Sequence, residues 1–134
     1  MSEGSPSSKL SKLLTFASVV EVGTGLALII DPRFVVGLLV GARTPPEETP
    51  MGRLPGIAIL ALGLACWPSG QNARAGSPAF RGMLVYNALI ALFLAYLFVV
   101  GHLGGVLLWP AVVLHAVVAL LLVWLRRDER REAR

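Results

Sequence analysis

Residues 106–125 read VLLWPAVVLHAVVALLLVWL, and residues 15–30 read TFASVVEVGTGLALII. Each run is apolar apart from small or weakly polar residues and one ionisable side chain near its centre, His115 in the first and Glu21 in the second. A helix needs about 20 such residues to cross ~30 Å of hydrocarbon. A charge at the bilayer centre costs about 2.5–3.5 kcal/mol. Each of these two residues is therefore expected to face a protein interior, to be neutralised, or to have a partner.

Composition agrees with a membrane reading. The chain has 134 residues, 55% hydrophobic and only 15% charged, with a mean hydropathy of +0.71. Soluble domains carry about 25% charged residues, and a chain this apolar would expose too much apolar surface to water. The length suits one compact domain over residues 1–134. The net charge of +4 and pI near 10.0 do not indicate nucleic acid, because the basic residues flank apolar runs and form no face with interleaved aromatics. Cys66 is the single cysteine, which excludes an internal disulfide and a thiolate metal cluster.

Working outward along the chain, residues 1–8 are expected to be disordered. A first helix is predicted over Leu10 to Ile30. It is read as retained and not as a signal peptide, since the run is long and contains Glu21. Asp31-Pro32 ends it, because proline cannot continue the helix and pushes the preceding residue out of the helical region. Residues Phe34 to Val40 are too short to span, so they form an interfacial half-helix or re-enter the membrane. After a Pro- and acid-rich loop, helix two is predicted from Pro50 to Trp67, with Thr49 as N-cap and Pro55 near the first turn. Helix three follows from Phe80 to Val100. Helix four runs from Val106 to Leu125, kinked by Pro110, and the charged tail 126–134 prolongs it. The fold class expected is an all-α, four-helix integral membrane bundle.

Lys9, Lys12, Arg74, Arg81 and the tail arginines fall at one end of this arrangement, and Arg33, Arg43 and Arg53 at the other. The excess of basic residues places both termini in the cytoplasm. Trp67, Trp109 and Trp124 near helix ends fit an aromatic belt.

The candidate site follows from helical spacing. Ala17-x3-Glu21-x3-Gly25, Ala111-x3-His115-x3-Ala119 and Met83-x3-Asn87-x3-Ala91 each put a polar residue between small or apolar ones on one face. Small residues mark faces where membrane helices approach closely. Glu21 and His115 lie at similar depth on antiparallel helices, so a hydrogen bond or ion pair between them is expected. Arg53 is a rival partner for Glu21, with snorkelling outward as its alternative. Asn87 and Tyr86 add hydrogen-bonding capacity, and Tyr96 belongs to the outer core or the belt. The cluster reads either as an interhelical polar clamp or as a ligand-binding or proton-linked site. Gly23, Gly25, Gly56, Gly63, Ala61 and Ala65 are expected to pack helices and to permit homo-oligomerisation through a small-residue seam.

Other chemistry finds little footing. His102 and His115 are too far apart on one chain for a bis-His haem site, which leaves only a site shared between two copies. There is no H-x3-H, H-E-x-x-H or C-x-x-C spacing. The serines lie at termini and in loops, except Ser18, so no Ser-His-Asp arrangement arises.

Residues 21–41, EVGTGLALIIDPRFVVGLLVG, followed by residues 53–67, RLPGIAILALGLACW, resemble the first half of the DoxX-like small four-helix bacterial membrane proteins. The residues that carry this are Gly23, Gly25, Leu26, Pro32, Gly41, Arg53, Gly56, Leu62, Gly63 and Leu64. The resemblance implies the four-helix fold and residence in a bacterial cytoplasmic membrane. Members are linked variously to thiosulfate–quinone oxidation and to redox-related accessory roles, so no site is carried over. The function expected is a non-enzymatic binding or accessory protein of the inner membrane. Its interior polar cluster would take a small amphipathic ligand or a partner helix. A proton-coupled transporter or channel, and a redox subunit binding quinone or haem, are the alternatives; the cofactor is unknown.

Overall fold

The computed structural model describes residues 6–41, 49–69 and 73–132. Among them are five helices: α1 (Pro6–Ile30), α2 (Pro32–Val40), α3 (Thr49–Ala65), α4 (Pro78–Val99) and α5 (Leu108–Glu132). Three helices, Ser7–Ile30, Pro78–Val99 and Leu108–Arg131, are long and apolar enough to cross a membrane. The apolar helix Pro50–Ala65 is shorter; the 17 residues of α3 reach only about 25 Å at ~1.5 Å per residue.

Several boundaries differ from those expected. Helix α1 begins at Pro6, so residues 6–8 form its first turn, where a proline's missing N–H has no ladder role. Residues 1–5 lie outside the described residues, as does the loop carrying Arg43, Glu47 and Glu48. Helix α3 stops at Ala65, short of Trp67. Pro55 falls inside α3 and removes the ladder donor for the Met51 carbonyl; it is not a first-turn residue. Pro110 is the third residue of α5, where the N–H would be unpaired in any helix. A kink there is not required. The charged tail does prolong α5, to Glu132.

The half-helix α2 is bounded by identifiable signals. The Asp31 carboxylate caps it by accepting from the Phe34 N–H at 3.0 Å, and Pro32 supplies a preset first-turn φ. At its other end Gly41 takes a left-handed φ of 75°. The last carbonyls of α2 are met by the α4–α5 connection: Gly104, Gly105 and Leu107 donate to Val40, Leu39 and Leu38 at 3.1, 3.0 and 2.9 Å. A Cβ at Gly105 would overlap the Leu38 carbonyl, so this approach requires glycine.

Two antiparallel pairs make up the long part of the molecule. In the α1–α3 pair, Gly25 abuts Gly56 and Leu60, and Gly63 abuts Val22 and the Ser18 carbonyl. The α4–α5 pair is fixed by Phe98 on Trp109 (ring centroids 4.9 Å apart) at one end and by Glu129 accepting from the Ala75 N–H at 3.3 Å at the other. A core of Leu10, Leu14, Ala17, Cys66, Phe80, Met83, Val118, Leu122 and Leu125 joins the pairs. It fills the end where α1 starts and α5 finishes. Large apolar side chains point outward along the helices, among them Val19, Leu26, Leu89, Leu92, Val113 and Leu120, as expected where hydrocarbon is the solvent.

Of the small residues expected to pack helices, Gly25, Gly56 and Gly63 do so. Gly23, Ala61 and Ala65 are exposed on the outer faces instead. They lie on the faces of α1 and α3 turned away from the seam between those helices.

Candidate functional site

Directly above the apolar core, four polar side chains converge from three helices. Helix α1 contributes Ser18 and Glu21, α4 contributes Asn87, and α5 contributes His115; their relative exposures are 0, 1, 0 and 9%. The inward faces anticipated for α1 and α4 hold: Ala17 and Gly25 are buried with Glu21, and Met83 and Ala91 with Asn87.

The hydrogen bonding is more specific than spacing alone could indicate. Asn87 Nδ2 donates to the Met83 carbonyl one turn earlier at 2.8 Å. Its Oδ1 lies 2.8 Å from His115 Nδ1. Glu21 Oε1 stands 3.8 Å from the same Nδ1, which is ion-pair range if the ring is charged but too long for a hydrogen bond. Of the hydrogen bond or ion pair expected between Glu21 and His115, the structure gives ion-pair distance and no hydrogen bond: the amide of Asn87 takes the imidazole, its carboxamide being turned that way by the Met83 carbonyl. Tyr86 sets its ring edge-on to His115, centroids 5.9 Å apart. Its phenol lies near enough to the Glu21 carboxyl to interact with it without reaching hydrogen-bond geometry.

Three buried oxygens are left over. Ser18 Oγ and both carboxylate oxygens of Glu21 have no hydrogen-bond partner. A buried polar atom in that state costs about 1–3 kcal/mol, and more if charged, so native proteins rarely keep one without a use.

Arg53 is not part of this cluster. It lies in the fifth position of α3 and is exposed, and the ion pair found for Glu21 is with His115 alone among the described residues. Tyr96 is also exposed and belongs to the outer surface, not the core. His102 sits in the α4–α5 connection with a left-handed φ of 51°, at the far end of α4 from the apolar core. Among the described residues no group of three or more His, Cys, Asp or Glu is placed to hold a metal ion.

Ser18 is the site residue that sequence reasoning passed over. Its signal was present: it precedes Glu21 by three positions, which puts both on one helical face. A lone serine is common in membrane helices, and nothing in its own type separates it from an ordinary packing residue.

These features define a class, a multi-pass helical membrane protein with a polar cluster enclosed in its interior. No family model, curated protein or solved structure matches the chain.

Proposed function

We propose that the chain is a four-helix integral protein of a bacterial cytoplasmic membrane whose interior cluster binds the polar head of a small amphipathic molecule. In this reading α1, α3, α4 and α5 cross the bilayer, α2 lies at the outer interface, and both termini are cytoplasmic. Lys9, Lys12, Arg74, Arg81 and Arg126, Arg127, Arg130 and Arg131 gather at the core-filled end, as cytoplasmic loops and tails do. The resemblance to DoxX-like proteins supports the same fold and membrane.

The single observation that carries the binding function is the set of buried unpartnered oxygens, Ser18 Oγ and the Glu21 carboxylate, the latter 3.8 Å from the imidazole of a His–Asn pair. A purely structural clamp would use its polar atoms on one another. Here the clamp is complete between Asn87 and His115, while Glu21 and Ser18 stand outside it.

Native mass spectrometry of the protein released from mild detergent tests this. The wild type is expected to carry a bound small molecule that is depleted in Glu21→Gln and Ser18→Ala. A wild type with no adduct beyond lipids that also bind both variants equally contradicts the proposal. The same spectra report whether the chain is a monomer or a homo-oligomer.

A second reading, a proton-coupled transporter, follows from the burial of an acid and an imidazole together in the interior, residue types that membrane proton relays use. Proton-dependent solute flux in liposomes, abolished by Glu21→Gln, would favour it.

A further inference from the structure

The next step rests on the reading of the cluster as a ligand site and concerns the chemistry of the head that it takes. Asn87 Nδ2 is committed to the Met83 carbonyl, so the group facing His115 is the amide oxygen, an acceptor. Two acceptors cannot bond at 2.8 Å, so His115 Nδ1 carries a proton. In the neutral ring Nε2 is then a bare acceptor. The Nδ1 proton is spent on Asn87 and is not available to Glu21 Oε1 at 3.8 Å.

What remains open is therefore richer in acceptor positions than in donors. An ionised carboxylate offers about four lone-pair positions and no donor, and Tyr86 can supply at most one O–H to it. Ser18 Oγ adds an acceptor beside it, three residues earlier on the same face of α1. Arg53, the cation that the sequence suggested for Glu21, is exposed. The cluster thus presents the Glu21 carboxyl and Ser18 Oγ, has only the Ser18 and Tyr86 hydroxyl protons as unspent donors, and holds no permanent positive charge among the described residues.

We propose that the cluster binds a protonated primary amine borne on an apolar body, with the ammonium N–H groups donating to the Glu21 carboxylate and Ser18 Oγ. An ammonium brings three donors and the opposing charge in one compact group; a hydroxyl head brings one donor and no charge. Asn87 acts as a positioning residue, because its amide oxygen takes the Nδ1 proton that would otherwise be free to turn to Glu21 Oε1, 3.8 Å from the same nitrogen.

The test uses the full chain in mild detergent with two probes of equal tail, n-octylammonium and 1-octanol, titrated by calorimetry. Octylammonium is expected to bind more tightly than octanol by about tenfold or more, as charge-assisted hydrogen bonds exceed neutral ones. Glu21→Gln is expected to abolish that preference. Ser18→Ala, which removes only a hydroxyl, is expected to weaken amine binding several-fold and leave octanol binding unchanged. Asn87→Asp, which keeps an acceptor on His115 Nδ1, is expected to retain the preference for the amine. Equal affinity for the two probes, or amine binding unchanged in Glu21→Gln, overturns the proposal. If a neutral molecule co-purifies and both probes bind alike, the site stands and the amine assignment falls. If neither probe binds and nothing co-purifies, the ligand-site reading falls with it.

Discussion

Replacing Gly25 by alanine probes the contact that sets the position of α1, and with it the height of Glu21. A Cβ there would lie 2.6 Å from the Leu60 backbone nitrogen and 2.8 Å from both the Gly56 carbonyl oxygen and the Leu60 Cα. All three are backbone atoms, so no side chain can swing away. Ordinary carbon contacts fall near 3.5–4.0 Å, and the helices must part by about 1 Å to admit the methyl. A gap of that size forfeits a quarter to a half of each dispersion contact along the seam, and overpacking of this kind costs about 1–3 kcal/mol. Gly23→Ala is the matched control, because a Cβ added at Gly23 would meet nothing within 4 Å; its expected change is within about 0.5 kcal/mol. Equilibrium unfolding in mixed micelles, followed by circular dichroism against rising denaturing detergent, reads both variants. A Gly25→Ala protein as stable as the wild type refutes the reasoning, as does an equal loss in Gly23→Ala.

Gly105→Ala should break the contact between α2 and the α4–α5 connection, and amide exchange at Gly104 and Leu107, which donate to Val40 and Leu38, should accelerate. Asn87→Leu should cost about 1–3 kcal/mol by leaving His115 Nδ1 buried and unpaired, and adding His115→Leu should recover part of that loss, since removing both partners is milder than removing one. Micelle unfolding of the single and double variants checks this, with strict additivity as the contrary result. Arg53→Gln should leave stability within about 0.5 kcal/mol and leave the bound small molecule in native mass spectra unchanged; loss of the adduct would return Arg53 to the site.

Much of the architecture is legible in the chain because membrane helices announce themselves by length and hydropathy. Asp31-Pro32 ends α1 where expected, and the alternation of small and polar residues points Glu21, Asn87 and His115 inward; that Asp31 also caps α2, and that Ser77 caps an α4 starting at Pro78 and not at Phe80, was not read. Helix ends were less legible: Leu108 and Pro6 open helices in segments whose composition does not change at those residues. Partner choice inside the cluster was not legible at all. Glu21 and His115 are matched in depth, but which acceptor the imidazole meets depends on the rotamer of Asn87, and that is set by the Met83 carbonyl. The exposure of Arg53 was not legible either, because reach along a side chain says nothing of its direction.

His115 is held by Asn87 inside the protein, and not by Glu21 or by lipid. Nitrogen-15 spectra of histidine-labelled protein in micelles report directly which ring nitrogen bears the proton, with exposed His102 as an internal reference. A single His115 form protonated at Nδ1, lost in Asn87→Leu, is the expected result. A His115 protonated at Nε2 alone, or one whose signal is indifferent to Asn87, would contradict the account.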